Sequence, residues 1–192
     1  PADKIDVVTS QTWQVPLPEI TWTIKQQLIA HAAHISRELQ DNLWLDAVEI
    51  KREKCDEENA FYDPESKQIT VCDEMIDALT KYGQKESEDV AIQEEIAVNS
   101  TLFFLMHELW HAYIDLYKLP ITWKEEDVAD QIATYLILTL NKDNSYNMVM
   151  DGAFSFYEFS QQNPNIDDGI LSDVHSIDKQ RFYNIACRLY GA

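Results

Sequence analysis

The chain has 192 residues, which is enough for one domain with a substantial core and short for two. Hydrophobic residues make up 45% of it and charged residues 26%, a globular composition that excludes a disordered chain. The net charge of −19, from 15 basic and 34 acidic residues, argues against nucleic acids and anionic membranes as partners. We therefore expect one monomeric domain over residues 1–192 without a membrane span.

The first part of the chain is predicted to contain an extended arm, a helix and three strands. Pro16 and Pro18 favour an extended arm over residues 1–20, and the apolar spacing of residues 21–40 indicates a helix. Alternating apolar residues between turn residues then predict strands. The strands are expected at 45–51, 59–62 and 68–72. We expect them to form a small antiparallel sheet before the central helix.

Helix-period patterns dominate the rest of the chain. Gly83 predicts the end of a helix that begins at Asp73. Thr122 and Glu125 match a capping box, with Thr122 as the N-cap residue and Glu125 at the third helical position. The later helices are expected at 86–118, 122–141, 145–162 and 177–190. The fold class is therefore predicted to be α+β and mostly helical.

The cysteines are Cys55, Cys72 and Cys187. Cys55 and Cys72 flank a predicted hairpin, which favours a disulfide that stabilises the fold by about 3 kcal/mol for so short a loop. Such a bond implies an oxidising compartment, whereas the alternative is three reduced thiols in a cytosolic protein. Cys187 is expected to be a small buried hydrophobe. The chain opens at Pro1 without Met, so we expect a secreted or periplasmic protein that has lost a signal peptide.

The most informative motif is His107-Glu108-Leu109-Trp110-His111, an H-E-x-x-H pattern within the long predicted helix. Histidines four residues apart lie about one turn from each other on one helix face, so both rings can reach one zinc ion. Glu108 lies beside them and can act as general base on a water molecule that the metal activates. Because the motif is short, an accidental occurrence without bound metal is one alternative.

A catalytic zinc ion needs a third protein ligand, and the next predicted helix must run back antiparallel beside the first. Counting residues from the turn places Glu126 at the height of His111. The same count places Asp130 at the height of His107, on the same helix face as Glu126. We predict Glu126 as the third ligand and Asp130 as the acceptor of the second N–H of His107. Glu125 is the alternative ligand.

These two motifs together resemble the gluzincin metallopeptidases, the group of thermolysin and neprilysin. Glu126, Ala129 and Asp130 match the E-x-x-A-D pattern that follows H-E-x-x-H in that group. The resemblance implies a zincin-like fold, one zinc ion per chain, Glu126 as the third ligand and Asp130 as the residue that orients the first histidine. The gap between His111 and Glu126 is short for the group. Residues 45–190 more closely resemble a small bacterial metallopeptidase family whose activity is inferred.

Two further stretches resemble neprilysin-type enzymes. The segment N-A-F-Y-D-P from Asn59 resembles their substrate-binding edge strand, which implies that the Asn59 side chain and the Ala60 backbone hold a peptide by strand addition. The segment D-V-H-S from Asp173, with Arg181 six residues after His175, resembles another motif. It implies that His175 donates to the oxyanion and that Asp173 steadies His175. It also implies that Arg181 binds a substrate carbonyl.

His175 is also favoured by the chemistry, because a zinc hydrolase needs a donor aimed at the oxyanion and losing one costs about 3 kcal/mol. His31 and His34 are expected to be surface or half-buried residues of an early helix. Ile177 stands where the related enzymes have proline. A structural role for His175 and a surface salt bridge for Arg181 are the alternatives. Other candidate donors are Tyr146, Tyr157 and Tyr183.

The predicted function is a zinc-dependent metallopeptidase that hydrolyses bonds of a peptide or protein substrate, with Glu108 as general base. The alternative function is a non-catalytic, zinc-containing binding or regulatory module on the same fold. A purely structural zinc site has no need of the carboxylate of Glu108, so the motif favours the enzyme.

Overall fold

A computed structural model describes residues 48–122, 124–140, 144–162 and 177–191. The predicted arm over 1–20 and the helix over 21–40, with His31 and His34, lie outside the described residues. The described part is mostly helical with a small sheet, so the predicted α+β class is confirmed. None of the helices in the described part is long and apolar enough to cross a membrane.

The sheet has three strands: β1 (Glu49–Glu53), β2 (Ala60–Asp63) and β3 (Gln68–Cys72). Their order is β1-β3-β2, with β2 antiparallel to β3 and β1 parallel to β3. The prediction of a purely antiparallel sheet was therefore wrong. The segment between β1 and β2 carries the chain across to the far edge, so the turn-linked hairpin places β3 in the centre. As a result β2 is an edge strand of this sheet.

Five helices follow in the described part. They are α1 (Asp73–Glu86), α2 (Val90–Tyr117), α3 (Glu125–Leu140), α4 (Ser145–Gln162) and α5 (Asp178–Gly191). The long helix α2 is central and packs against α1, α3 and α4 as well as the sheet. Its middle third is buried almost without interruption, because apolar residues occupy several faces there rather than one stripe.

The sequence predicts that Gly83 ends the first of these helices. That prediction was wrong, since α1 continues to Glu86. A Cβ atom at Gly83 would collide with the backbone oxygen of Gln93, so glycine here permits the close approach of α1 to α2. Gly152 has the same role in α4, where a Cβ atom would collide with the ring of Phe103. These two glycines let the neighbouring helices approach the central one.

The predicted capping box was also wrong. Helix α3 begins at Glu125, and the Val128 amide donates to the Lys124 carbonyl at 3.3 Å, so Thr122 precedes the helix. Ile121, Thr122 and Lys124 are not helical. Glu125 therefore lies in the first turn of α3, where its side chain is available for a different contact.

The structure contains the Cys55–Cys72 disulfide, with a Cα–Cα distance of 5.5 Å. The bond joins the segment after β1 to the end of β3. Both oxygens of the Glu74 carboxylate accept backbone amides of that segment, from Cys55 at 3.0 Å and from Asp56 at 3.1 Å. Cys187, in contrast, is exposed on α5, so its predicted burial was wrong.

Candidate metal centre

The helix that carries the two histidines has well-defined ends. The Asp89 side chain accepts the Ala91 amide at the start of α2, as an N-cap residue does. At the other end Lys118 adopts a left-handed conformation with φ of 49°, and the Leu119 amide donates to the Ile114 carbonyl. The chain then returns along α2 as α3, which brings Glu126 opposite the histidines.

Three side chains on α2 and α3 converge on one point. The Nε2 atoms of His107 and His111 lie 3.0 Å apart. The Glu126 carboxylate lies 3.1 Å from Nε2 of His107 and 3.2 Å from Nε2 of His111. These three residues can hold a metal ion, since their donor atoms all lie close together.

The spacing of these donors fits a tetrahedral ion. Zinc held at about 2.0–2.2 Å requires ligand atoms about 3.3–3.6 Å apart, which is close to the observed distances. Two imidazoles and one carboxylate also leave a fourth position for water or substrate, as in catalytic zinc sites. The donor set and its geometry therefore fit the metal that the sequence predicts.

The second ring nitrogen of His107 contacts a buried carboxylate. Nδ1 lies 2.9 Å from Oδ1 of Asp130, which is 1% exposed. A carboxylate in this position fixes the ring orientation and the tautomer of a metal-binding histidine. The structure thus places Asp130 beside His107, where the helix count had put it.

Arg181 on α5 lies behind this pair, and sequence reasoning missed that contact. Its Nε and Nη2 atoms donate to the two oxygens of Asp130 at 2.8 Å and 2.7 Å. The guanidinium lies 3.9 Å above the ring of Phe156 and is buried. Arg181 also borders the cleft beside the cluster, so substrate binding by this residue stays a prediction. Fifty-one positions separate it from Asp130, and no local pattern could have revealed the pair.

His111 has its own carboxylate partner on the opposite ring nitrogen. Nδ1 lies 2.7 Å from Oε1 of Glu125, whose side chain is 47% exposed. The alternative third ligand therefore lies on the nitrogen that faces away from the cluster. Sequence reasoning missed this contact because the predicted capping box assigned Glu125 to the helix terminus.

The charged groups of the cluster strongly shift one another's pKa values. Burial alone would raise the pKa of Glu126, but its contacts with both histidines outweigh it and hold the pKa well below the usual range. Burial lowers the pKa of His111, yet the contact with Glu126 and the nearby Glu108 carboxylate raise it to about 9. Metal binding requires the deprotonated rings, so a metal ion would compete with protons for both histidines.

Glu108 differs from the other acids of the cluster. It is buried, and its nearest carboxylate oxygen lies 3.9 Å from Nε2 of His107. Burial raises its pKa above that of an exposed glutamate, although the two histidines oppose the shift. A carboxylate with a raised pKa close to the reacting centre suits proton transfer near neutral pH.

The cluster opens into a cleft of about 950 Å³. One wall is formed by the edge strand β2, including Ala60, together with the preceding Asn59, and Glu108 also lines the cleft. The apolar part of the lining includes Met75, Phe104, Ile114, Phe156 and Phe159. The structure therefore brings the predicted edge strand and the predicted metal ligands to one cleft.

The remaining predicted residues either lie outside the described residues or do not line the cleft. Asp173 and His175 lie outside the described residues, so their roles stay predictions. Tyr146 and Tyr183 are exposed, and neither they nor Tyr157 belongs to the described lining of the cleft.

One comparison identifies the family. The model of a family described as "Putative metallopeptidase" matches residues 22–192. No curated protein and no solved structure matches the chain. The family match covers most of the chain, including both helices of the cluster and the edge strand. On this match, the chain belongs to the putative metallopeptidase family.

Proposed function

We propose that the protein is a zinc-dependent metallopeptidase of gluzincin type, in which His107, His111 and Glu126 hold the metal. The observation that carries the proposal is the convergence of two imidazole nitrogens and one carboxylate group, with contacts of 3.0–3.2 Å between them, at the side of a cleft. Imidazole and carboxylate donors also suit Fe(II), so the metal must be identified directly. The order of the motifs along the chain favours zinc.

Zinc, when bound, supplies a Lewis acid that activates water and polarises a carbonyl. In our proposal a carboxylate oxygen of Glu108 accepts the proton of the attacking water. The same oxygen then delivers that proton to the nitrogen of the leaving amine, and the peptide bond breaks. Glu108 is buried, and its raised pKa favours this proton transfer near neutral pH.

The edge strand supports a peptide as the substrate. Strand β2 pairs with β3 on one side, and its residues line the cleft on the other. An extended peptide could add to this edge through main-chain hydrogen bonds, with the Asn59 side chain and the Ala60 backbone as its partners. Such binding accepts many sequences, because main-chain hydrogen bonds do not depend on side-chain identity.

The oxyanion donors of the proposal come from the resemblance to neprilysin-type enzymes. His175 would donate to the oxyanion, with Asp173 beside it. Arg181 would bind a substrate carbonyl through Nη1, which lies 3.7 Å from Glu126 and is the guanidinium nitrogen other than the two that donate to Asp130. The disulfide between Cys55 and Cys72 supports an oxidising compartment, so we place the protein in a secreted or periplasmic setting.

The substitution Glu108→Gln tests the proposal, because it keeps the shape of the side chain and removes the base. We expect one zinc ion per chain in both proteins and a loss of peptidase activity of about 10²- to 10⁴-fold in the variant. Metal content is measured after purification without added zinc, and cleavage is followed on a mixture of unstructured peptides. Glu88→Gln, at an exposed position before α2, is the matched control.

The same experiment separates the rival functions. Bound zinc without any cleavage by the parent protein would favour a non-catalytic binding module. A parent protein without stoichiometric metal would contradict both functions. Full activity in Glu108→Gln would contradict the proposed role of this residue.

A further inference from the structure

A hydrogen bond connects the edge strand to the helix that carries the histidines. The Tyr62 hydroxyl on β2 donates to Oδ2 of Asp115 on α2 at 3.0 Å. Asp115 lies four residues after His111, so it continues the stripe of the two histidines along one helix face. Both Tyr62 and Asp115 line the cleft. This contact therefore spans from the wall that would bind a peptide to the wall that would bind the metal.

The contact is a hydrogen bond to a charged acceptor. Lys118 donates to the other carboxylate oxygen of Asp115 at 2.6 Å, and this contact lowers the pKa of Asp115. Partial burial, together with the Asp115 carboxylate, raises the pKa of Tyr62, so the phenol keeps its proton. A neutral O–H donor and an ionised acceptor form a stronger bond than two neutral groups.

The backbone pairing of strand β2 with the rest of the sheet is short. It is four residues long and bonds to β3 along one edge only within the described sheet. Ala60 packs into the core, but its side chain is a single methyl group. Tyr62 follows two residues later on the same face of the strand and reaches α2 through its hydroxyl. Phe61 and Tyr62 both pack against the core, and the Tyr62 hydroxyl adds a directional hydrogen bond to this packing between β2 and α2.

We infer that Tyr62 and Asp115 are positioning residues that set the distance between the edge strand and the metal-bearing helix. The inference rests on the proposed function, because it assigns to this pair the alignment of an extended peptide with the metal. Displacing a bound substrate by about 1 Å can cost up to about 10²-fold in activity, so a small shift of the strand matters. Neither residue touches the metal or the reacting atoms in this assignment.

Two hydroxamates test the inference without any turnover. Acetohydroxamate binds through the metal alone, whereas a tripeptide hydroxamate also needs the edge strand. Tyr62→Phe removes only the hydroxyl, and Asp115→Asn keeps a weaker acceptor in the same place. Each zinc-loaded variant is titrated with both compounds and compared with the parent protein. Tyr135→Phe, at a position 65% exposed on α3, is the matched control.

We expect the tripeptide hydroxamate to bind Tyr62→Phe about tenfold more weakly, and Asp115→Asn by a smaller factor. The affinity for acetohydroxamate and for zinc should stay at the parent value in both. With a cleavable hexapeptide, kcat/KM should fall by a similar factor while the zinc content stays at the parent value.

The outcomes distinguish the positioning role of the pair from the proposed function. If both compounds bind the variants as they bind the parent protein, the positioning role is wrong while the proposed function stands. If Tyr62→Phe loses affinity for zinc or acetohydroxamate as well, the pair supports the whole centre and the inference is also wrong. If neither compound binds the zinc-loaded parent protein, the proposed function fails, and the inference fails with it.

Discussion

Two carboxylates that pack against α2 have pKa values shifted in opposite directions. Asp130 on α3 is 1% exposed, yet its pKa falls to about 2, because the contacts with Arg181 and His107 outweigh the effect of burial. Asp151 on α4 is half-buried, and there burial raises the pKa to about 6 although the neutral amide of Asn99 donates to it at 2.7 Å. The adjacent cation, rather than the depth of burial, decides which carboxylate stays charged.

The metal centre holds several acids in a chain with a net charge of −19, and Arg181 supplies a buried cation among them. Arg181 compensates Asp130, and Asp130 in turn orients His107. The pair around Asp151 has a neutral donor and the repulsion of Glu95 instead. Asp130 therefore stabilises the fold as an ion, whereas the half-buried Asp151 would stabilise the fold more in its protonated form.

The largest expected effect follows from Asp130→Asn. This change removes the carboxylate that pairs with the buried Arg181 guanidinium and leaves it the longer, 3.7 Å contact with Glu126, which should destabilise the fold by about 3–5 kcal/mol. It should also weaken metal binding by about 10- to 100-fold, because His107 loses the acceptor that orients it. Urea unfolding and competition with a zinc chelator measure the two quantities. Asp56→Asn, at a position whose side chain is 85% exposed, is the control. An equal loss of stability in that variant would contradict the claim that burial of Asp130 causes the effect.

A smaller effect, the coupling between Asp130 and Arg181 in the free energy of unfolding, is expected when both charges are removed together. Arg181→Met alone should destabilise the fold, because Asp130 then keeps a buried charge with only His107 beside it. The double variant Asp130→Asn with Arg181→Met should be clearly more stable than the sum of the single changes predicts, by roughly 1–3 kcal/mol. Unfolding of all four proteins in chelator gives this coupling. Additive losses would mean that the two groups act separately.

Asp151 predicts a dependence of stability on pH with a defined sign. Its pKa is higher in the folded protein, at about 6, than the ordinary value of 3.8 that holds after unfolding. The folded state therefore binds the proton more tightly, so this group stabilises the protein below about pH 4, and that contribution is lost as pH rises through 6. Asp151→Asn should flatten this part of the profile and raise stability at pH 7 by about 1–2 kcal/mol, allowing for partial exposure.

The difference between Asp151→Asn and the parent protein, measured at pH 4.5 and 7.5 in chelator, isolates this group from the histidines. An unchanged difference between the two pH values would contradict the assignment. The comparison with Asp130→Asn is then direct, because one substitution should destabilise the protein and the other should stabilise it at pH 7.

The smallest effect is expected for Glu125→Gln. Glu125 contacts His111 as Asp130 contacts His107, but its side chain is 47% exposed. Water can replace an exposed acceptor, so zinc affinity should fall by less than about tenfold and the urea midpoint should stay at the parent value. The chelator competition used for Asp130→Asn measures it. A loss as large as that of Asp130→Asn would show that exposure does not separate the two carboxylates.

The sequence predicted the helices around the metal centre well, because the signals that begin and end a helix are local. Helix α4 begins and ends where the sequence indicates, and α2 differs by a few residues. The order of Glu126 and Asp130 along α3 relative to His111 and His107 also followed from helix periodicity and a short turn. The errors fell where two local signals compete. Gly83 can end a helix or permit helix packing, and Thr122 can cap a helix or precede it.

What the sequence determined by itself was therefore the class of the fold, the paired histidines with Glu108 between them, and the acids that return beside them. Each follows from spacings of a few residues, which the helical repeat converts directly into distances. Only the tertiary structure decided that β1 runs parallel to β3, that Arg181 neutralises Asp130, and that Tyr62 reaches Asp115. Those contacts join residues 19 to 53 positions apart, so they depend on how whole elements pack and on which buried charge finds a partner.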